Sequence, residues 1–175
     1  MRANEADVAF TFPSGKAKAV HIVDIPGHPR LRNVFDIYAP SARGVVFLVD
    51  SVDFMPKKAE VAEQLYDVLT HPVIAGRRIP LLVACNKADA GAKAHTVDFI
   101  RKRLEKEIDG MRSTRGALGG DDAASKAAAL HSAGEAFTFE GLGAKGKGPV
   151  VTCVVVSALD VGGVAPVEKF IASTC

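Results

Sequence analysis

The 175-residue sequence has little cysteine, no tryptophan, no long apolar run and almost no net charge. Its three cysteines, Cys85, Cys153 and Cys175, are odd in number and far apart. This argues against a disulfide framework or a zinc site and favours reduced, buried thiols. The longest apolar runs fall well short of the about 18 residues that span a bilayer. A net charge of +2 gives no reason to expect nucleic acid as a direct partner.

The composition is that of one globular domain covering residues 1–175. Apolar residues make up 48% of the chain and charged residues 24%, and domains usually contain about 100–200 residues. Wholesale disorder, a collagen-like chain and a membrane protein with several spans are therefore excluded.

Short apolar runs predict five strands. Gly44–Val49, Leu81–Cys85 and Val150–Val156 are short apolar runs without alternation, which is typical of the buried strands of a parallel sheet. Asp7–Phe12 and Ala17–Asp24 flank a Pro-Ser-Gly turn and predict an antiparallel hairpin.

Amphipathic patterns predict helices between and after these strands. They cover Lys57–Leu69, Thr96–Met111 and Pro166–Ser173. Strands that alternate with helices indicate an α/β fold with a doubly wound, mostly parallel sheet. Ser113–Gly134 is rich in Gly, Ala, Ser and Asp, and we interpret it as a flexible insertion.

The sequence Cys85-Asn-Lys-Ala-Asp89 directly after a predicted strand is the strongest functional motif. The Asp89 carboxylate can accept two hydrogen bonds from the N1–H and the exocyclic amine of guanine, a donor pair that adenine lacks. Asn86 can bond the base edge, and the Lys87 stem can lie over the ring. Taken alone, this motif is also compatible with a polar turn that binds nothing.

Two weaker motifs also follow predicted strands. In Asp24-Ile-Pro-Gly27, the carboxylate can hold Mg²⁺ through water, and the glycine lets its backbone N–H approach a terminal phosphate. In Ser157-Ala158, the backbone N–H of the second residue can bond guanine O6. Each alone is also compatible with an ordinary turn.

The order of the motifs carries more information than any one of them. D-x-x-G, N-K-x-D and S-A occur in that order, each at the carboxyl end of a strand, where open α/β sheets bind ligands. This is the pattern of the small GTPase superfamily.

Longer stretches resemble one family within that superfamily. Asp24-Ile-Pro-Gly-His-Pro-Arg-Leu-Arg32, Ala42-Arg-Gly-Val-Val-Phe-Leu-Val-Asp-Ser51, Leu104-Glu-Lys-Glu-Ile-Asp-Gly-Met-Arg112 and Phe137-Thr-Phe-Glu140 are similar to the beta subunits of the signal recognition particle receptor. The resemblance covers nearly the whole chain.

The resemblance implies a GTP-binding subunit at the cytosolic face of the endoplasmic reticulum membrane. In that family the GTP-bound form binds the receptor alpha subunit, and the pair receives ribosomes brought by the signal recognition particle. The implied cofactors are GTP or GDP and Mg²⁺, contacted by Asp24 and Gly27. His28 stands where the superfamily places a water-orienting residue, which makes it a candidate catalytic residue; a partly buried structural histidine is the alternative.

The chain departs from the family pattern in three respects. It contains no G-x-x-x-x-G-K-[S/T], and Ser14-Gly15-Lys16 is better interpreted as a hairpin tip. We therefore expect the family's membrane anchor, first strand, phosphate loop and first helix to lie upstream of Met1. In the family's strand order the missing strand lies between Ala19–Val23 and Gly44–Asp50, so we expect either a gap there or direct pairing of these two strands. Without the phosphate loop we expect weak or no binding of GTP, and doubtful hydrolysis. Leu159 replaces a lysine that often follows Ser-Ala.

Two other functions stay open at this point. A trafficking GTPase of the Arf/Sar group shares the general motifs, although that group usually lacks the long insertion. A nucleotide-free pseudo-GTPase scaffold would bind a partner without GTP.

Overall fold

The computed structural model describes residues 3–11, 15, 17–27, 32–118, 130, 135–144 and 148–174. The strands within this part of the chain are β1 (Asn4–Thr11), β2 (Ala17–Asp24), β3 (Val45–Asp50), β4 (Leu81–Asn86) and β5 (Val151–Val155). The helices are α1 (Arg32–Tyr38), α2 (Phe54–Leu69), α3 (Pro72–Arg77), α4 (Val97–Leu118), α5 (Phe139–Ala144) and α6 (Ala165–Thr174).

The strands form two separate sheets. β1 and β2 pair antiparallel, with Asn4 opposite Asp24 and Thr11 opposite Ala17. β3, β4 and β5 form a parallel sheet in that order, with Asp50 beside Asn86. The predicted hairpin and parallel sheet are therefore confirmed. No pairing joins β2 to β3 among the described residues, which agrees with the first of the two expected arrangements, a gap, and not with direct pairing.

The main core lies on one face of the parallel sheet, against α2 and α4. Val49 on β3 and the alternate residues of β4 are almost completely buried there, because successive side chains of a strand point to opposite faces. The helices contribute apolar residues at helical spacing: Leu65 and Leu69 from α2, and Ile100, Leu104 and Ile108 from α4.

The opposite face of the parallel sheet is only partly covered. An added Cβ on Gly44 would lie 3.0 Å from the Phe170 ring, which places α6 on that face beside the start of β3. Further along the same face of β3, Val46 remains 36% exposed and Leu48 remains 64% exposed. This face of β3 is thus apolar and partly exposed among the described residues.

Helix α4 extends beyond its predicted end at Met111 to Leu118, and so covers the first six residues of the predicted insertion. Tertiary contacts explain the difference. The buried Arg112 side chain pairs with Asp109 at 2.6 Å and donates to the carbonyls of Leu130 and Glu135. Leu130, inside the predicted insertion, is itself buried in the core. The rest of that insertion lies outside the described residues, and its flexibility stays a prediction.

Candidate functional site

The loops that follow β4 and β5 are joined by backbone hydrogen bonds. The Val156 N–H donates to the Cys85 carbonyl at 2.9 Å, and the Ala88 N–H donates to the Val156 carbonyl at 3.2 Å. These bonds continue the parallel ladder past the last residues of both strands. They bring the Asn-Lys-x-Asp and Ser-Ala motifs together at the carboxyl edge of the sheet.

Asp89 is held from one side by the buried Ser157. The hydroxyl Oγ of Ser157 donates to Asp89 Oδ1 at 2.8 Å, and it accepts from the backbone N–H of Asp160 at 3.2 Å. Asp89 is exposed, and its Oδ2 makes no hydrogen bond within the part of the chain that the structure describes. The carboxylate is therefore oriented by the protein and still has an oxygen open to a ligand.

Asn86 links the same two loops through its side chain. Its Oδ1 accepts a hydrogen bond from the Ala158 N–H at 3.1 Å. The predicted donor to guanine O6 is thus already engaged, so a bound base has to share or replace this bond. The Asn86 amide nitrogen is the group of that side chain that stays available as a donor to a base edge.

Lys87 projects from the same loop toward the end of β3. Its Nζ pairs with Asp50 Oδ2 at 2.6 Å, and its backbone is left-handed, with φ of 73°. Sequence reasoning missed Asp50. Its only signal was an acidic residue at the end of a predicted strand, because its proximity to Lys87 depends on the register that places it beside Asn86.

Gly163 allows the Ser157 loop to close. The Ser157 N–H donates to the Gly163 carbonyl at 3.1 Å. A Cβ on Gly163 would lie 2.3 Å from the Ser157 carbonyl oxygen, so any other residue would collide with the backbone. Sequence reasoning missed this position too, although the Gly162-Gly163 pair was its visible signal.

The Asp24–Gly27 segment forms the second part of the candidate site, at the end of β2. Asp24 is exposed and accepts from Asn4 Nδ2 at 3.3 Å. The Gln64 side chain of α2 donates to the Gly27 carbonyl at 3.0 Å. Sequence reasoning did not identify Gln64. The candidate catalytic residue His28 lies outside the described residues.

These loops bring together polar groups of the kinds that the sequence analysis expects to contact a guanine base. One edge of the sheet holds a pre-oriented carboxylate with an oxygen that no described residue bonds, an amide group and a lysine stem. The described residues contain no cluster of three or more His, Cys, Asp or Glu that could hold a metal ion. A Mg²⁺ ion contacted only by Asp24 through water would need phosphate oxygens as its other ligands.

The fold and the joined strand-end loops define the class: an α/β domain of the small GTPase type. The family model described as the signal recognition particle receptor beta subunit matches residues 1–146. The chain belongs to this family. The mouse signal recognition particle receptor subunit beta is 35% identical over 141 residues, which is 79% of this chain and 52% of the mouse protein. The chain thus spans about half the length of that relative.

Solved structures agree with the family. The mammalian signal recognition particle receptor matches with a TM-score of 0.81 and 31% identity, over 100% of this chain and 84% of that one. The SRb-GTP/SRX complex from Chaetomium thermophilum matches with a TM-score of 0.75 and 21% identity, over 99% of this chain and 78% of that one. The second likeness supports the fold alone.

None of the described helices is both long enough and apolar enough to cross a bilayer.

Proposed function

We propose that this chain is the guanine-sensing part of a signal recognition particle receptor beta subunit. The observation that carries the proposal is the Asp89 carboxylate, which follows β4, accepts a hydrogen bond from Ser157 Oγ at 2.8 Å and has a second oxygen that no described residue bonds. A carboxylate in this setting accepts the two donors of guanine, whereas adenine would leave it unpaired.

The remaining residues of the two loops complete base recognition. Asn86 donates its amide to the base edge, and the Lys87 stem covers one ring face. Ser157 acts through Asp89, and the Ala158 N–H offers a donor to O6 in exchange for its bond with Asn86. Guanine is selected because adenine lacks the two donors that the Asp89 carboxylate accepts, and the hydrogen bond from Ser157 to Asp89 reduces the ordering cost of binding.

The Asp24–Gly27 segment is proposed to contact the phosphate end of the nucleotide. Asp24 would hold Mg²⁺ through water, and the Gly27 N–H would contact the terminal phosphate. Since this segment is attached to α2 through Gln64, a change in its position on phosphate binding would be passed to that helix. His28 follows this segment directly and is the candidate for orienting water.

The proposed partner is the receptor alpha subunit, bound in the GTP state at the cytosolic face of the endoplasmic reticulum membrane. The solved SRb-GTP/SRX complex from Chaetomium thermophilum shows that the protein from that organism binds a partner in its GTP form. Ribosomes and the signal recognition particle would then be reached through the alpha subunit.

The alternative that the sequence leaves open is a scaffold that binds its partner without nucleotide. Capture of the alpha subunit with and without GTP separates the two functions. GTP-dependent capture supports a GTP-regulated subunit, and equal capture in both conditions supports the scaffold.

Base preference is the direct test of the proposed site. We expect weak binding, because the sequence contains no phosphate-loop motif, so ¹⁵N-resolved NMR titration with GDP and with ADP up to millimolar concentration is the suitable measurement. GDP should shift the amide signals of Ala88, Asp89 and Ala158 at concentrations where ADP does not. Equal shifts with both nucleotides, or none with either, would contradict guanine recognition.

A further inference from the structure

Asp50 connects the end of β3 to the loop that carries Lys87. It is the last residue of β3 and lies beside Asn86 in the parallel register. Two further backbone bonds hold the same junction: the Ser51 N–H donates to the Asn86 carbonyl at 3.0 Å, and the His95 N–H donates to the Ser51 carbonyl at 2.9 Å. The β3 end is therefore fixed relative to the Asn-Lys-x-Asp loop before any ligand binds.

The two oxygens of the Asp50 carboxylate have different partners. Oδ1 accepts from the Val52 N–H at 2.9 Å and from the Asp53 N–H at 3.2 Å. Oδ2 faces Lys87 Nζ at 2.6 Å. Because the turn fixes Oδ1, the direction of Oδ2 is fixed as well, and the ammonium group is drawn to one position rather than to a range of solvated ones.

The electrostatics of the pair agree with this geometry. Partial burial alone would raise the pKa of Asp50, but hydrogen bonds from Lys87 and from the backbone hold that pKa below its ordinary value. The Asp50 hydrogen bond raises the pKa of Lys87, and the charges of Asp50, Asp53 and Asp89 add to the same effect.

The backbone conformation of Lys87 makes the contact between its side chain and Asp50 more important. Its φ of 73° is in the left-handed region, which non-glycine residues seldom adopt and which surrounding contacts must maintain. The backbone conformation fixes the direction in which the Lys87 side chain starts. The rest of the side chain is flexible, so its ammonium group needs a partner to keep one position.

We infer that Asp50 is a positioning residue of the guanine site, which holds the Lys87 side chain in the direction needed to cover the base. This inference rests on the proposed function, and it assigns to Asp50 a role that the Asn-Lys-x-Asp motif itself does not contain. Asp50 does not touch the nucleotide; it acts through Lys87.

The nucleotide-free chain provides the first test. Asp50→Asn keeps an oxygen for the Val52 and Asp53 N–H groups and removes the charge that faces Lys87. We expect NMR titration of the Lys87 Cε–H signals to give a lower pKa in Asp50→Asn than in the parent chain. The matched control Asp53→Asn removes a charge from the same turn and should change this pKa less. An unchanged Lys87 pKa in Asp50→Asn would overturn the inference.

The second test is a double-mutant cycle on GDP affinity measured by the same NMR titration. Asp50→Asn should weaken GDP binding about tenfold, which corresponds to about 1.4 kcal/mol, and should have little further effect in a Lys87→Met background. A loss of the same size in both backgrounds would mean that Asp50 acts only on loop stability, and it would overturn the inference.

The parent chain separates failure of the inference from failure of the proposed function. If the parent prefers GDP over ADP and Asp50→Asn binds GDP equally well, the inference is wrong and the proposed function stands. If the parent shows no preference between GDP and ADP, the proposed function fails, and the role assigned to Asp50 in base binding fails with it.

Discussion

The Gln64 side-chain amide donates a hydrogen bond to the Gly27 carbonyl at 3.0 Å, and this bond attaches the segment after β2 to helix α2. Gln64 also lies 3.5 Å from Glu60, one turn earlier on the helix. Because β1 and β2 form a sheet of their own, a link of this kind joins the proposed phosphate-sensing segment to the body of the domain.

Removing this link should loosen the segment without unfolding the domain. In Gln64→Ala, we expect the ¹⁵N order parameter of Gly27 to fall toward the flexible range, below about 0.6. Stability should change by only about 1 kcal/mol, the usual net contribution of one hydrogen bond. Lys57→Ala, on the exposed side of the first turns of α2, is the control and should leave Gly27 unchanged. An equal order parameter in both variants would show that Gln64 does not anchor the segment.

Loss of the Ser157 hydroxyl should destabilise the two joined loops. Ser157 is 3% exposed and its Oγ makes two hydrogen bonds, so Ser157→Ala removes both bonds, each with a net contribution of about 0.5–1.5 kcal/mol. Urea unfolding followed by far-UV circular dichroism measures the loss. Ser173→Ala removes an exposed hydroxyl that bonds only within α6, and it should stay within about 0.5 kcal/mol of the parent. Equal midpoints for the two variants would contradict the structural role of Ser157.

Gly163 and Gly110 should respond in opposite ways to alanine. Gly163→Ala places a Cβ 2.3 Å from the Ser157 carbonyl oxygen, so we expect a loss of stability and displaced amide signals in the Ser157 loop. Gly110 lies inside α4 with no atom within 4 Å of an added Cβ, and Gly110→Ala should stabilise the chain by about 0.5–1 kcal/mol. The prediction fails if the Gly163 variant is as stable as the parent.

The β1–β2 hairpin should be sensitive to pH through His21. Hydrogen bonds to Asp7 at 2.9 Å and Glu5 at 3.1 Å raise the pKa of the imidazole. Because the pKa of His21 is higher in the folded chain than in the unfolded chain, these hydrogen bonds stabilise the hairpin fully at pH values below the unfolded-state pKa of about 6.5. This stabilisation is lost as the pH rises through the folded-state pKa. NMR titration of the His21 ring should therefore give a pKa above 6.5 in the parent chain. It should give a lower one in Asp7→Asn, and equal values in both would contradict this account.

The sequence predicted those parts of the fold that depend on local pattern. The short apolar runs of β3, β4 and β5 are typical of a parallel sheet, and β4, its central strand, is buried on both faces. α1, α3 and α5 contain only six or seven residues and are too short to show a helical period. Leu130 was missed because its neighbours in sequence are small and polar, and only tertiary contact makes it a core residue.

The candidate site shows the same difference between residues that a local pattern predicts and residues that only tertiary contacts identify. Asn86, Asp89, Ser157 and Ala158 were predictable as motifs, and the structure brings their side chains and backbone into direct contact. Asp50 and Gln64 act across 37 residues of sequence each. No local pattern marks them, since their roles arise only from strand register and from the packing of α2.

The central measurement is the base preference of Asp89→Asn, with Asp160→Asn as the control. An asparagine presents one acceptor and one donor group, so it cannot accept both donors of guanine as the carboxylate does. We expect NMR titration to show that Asp89→Asn loses the preference for GDP over ADP while Asp160→Asn retains it. If Asp89→Asn discriminates between the two nucleotides as well as the parent chain does, then Asp89 does not select the base and the account of this site is wrong.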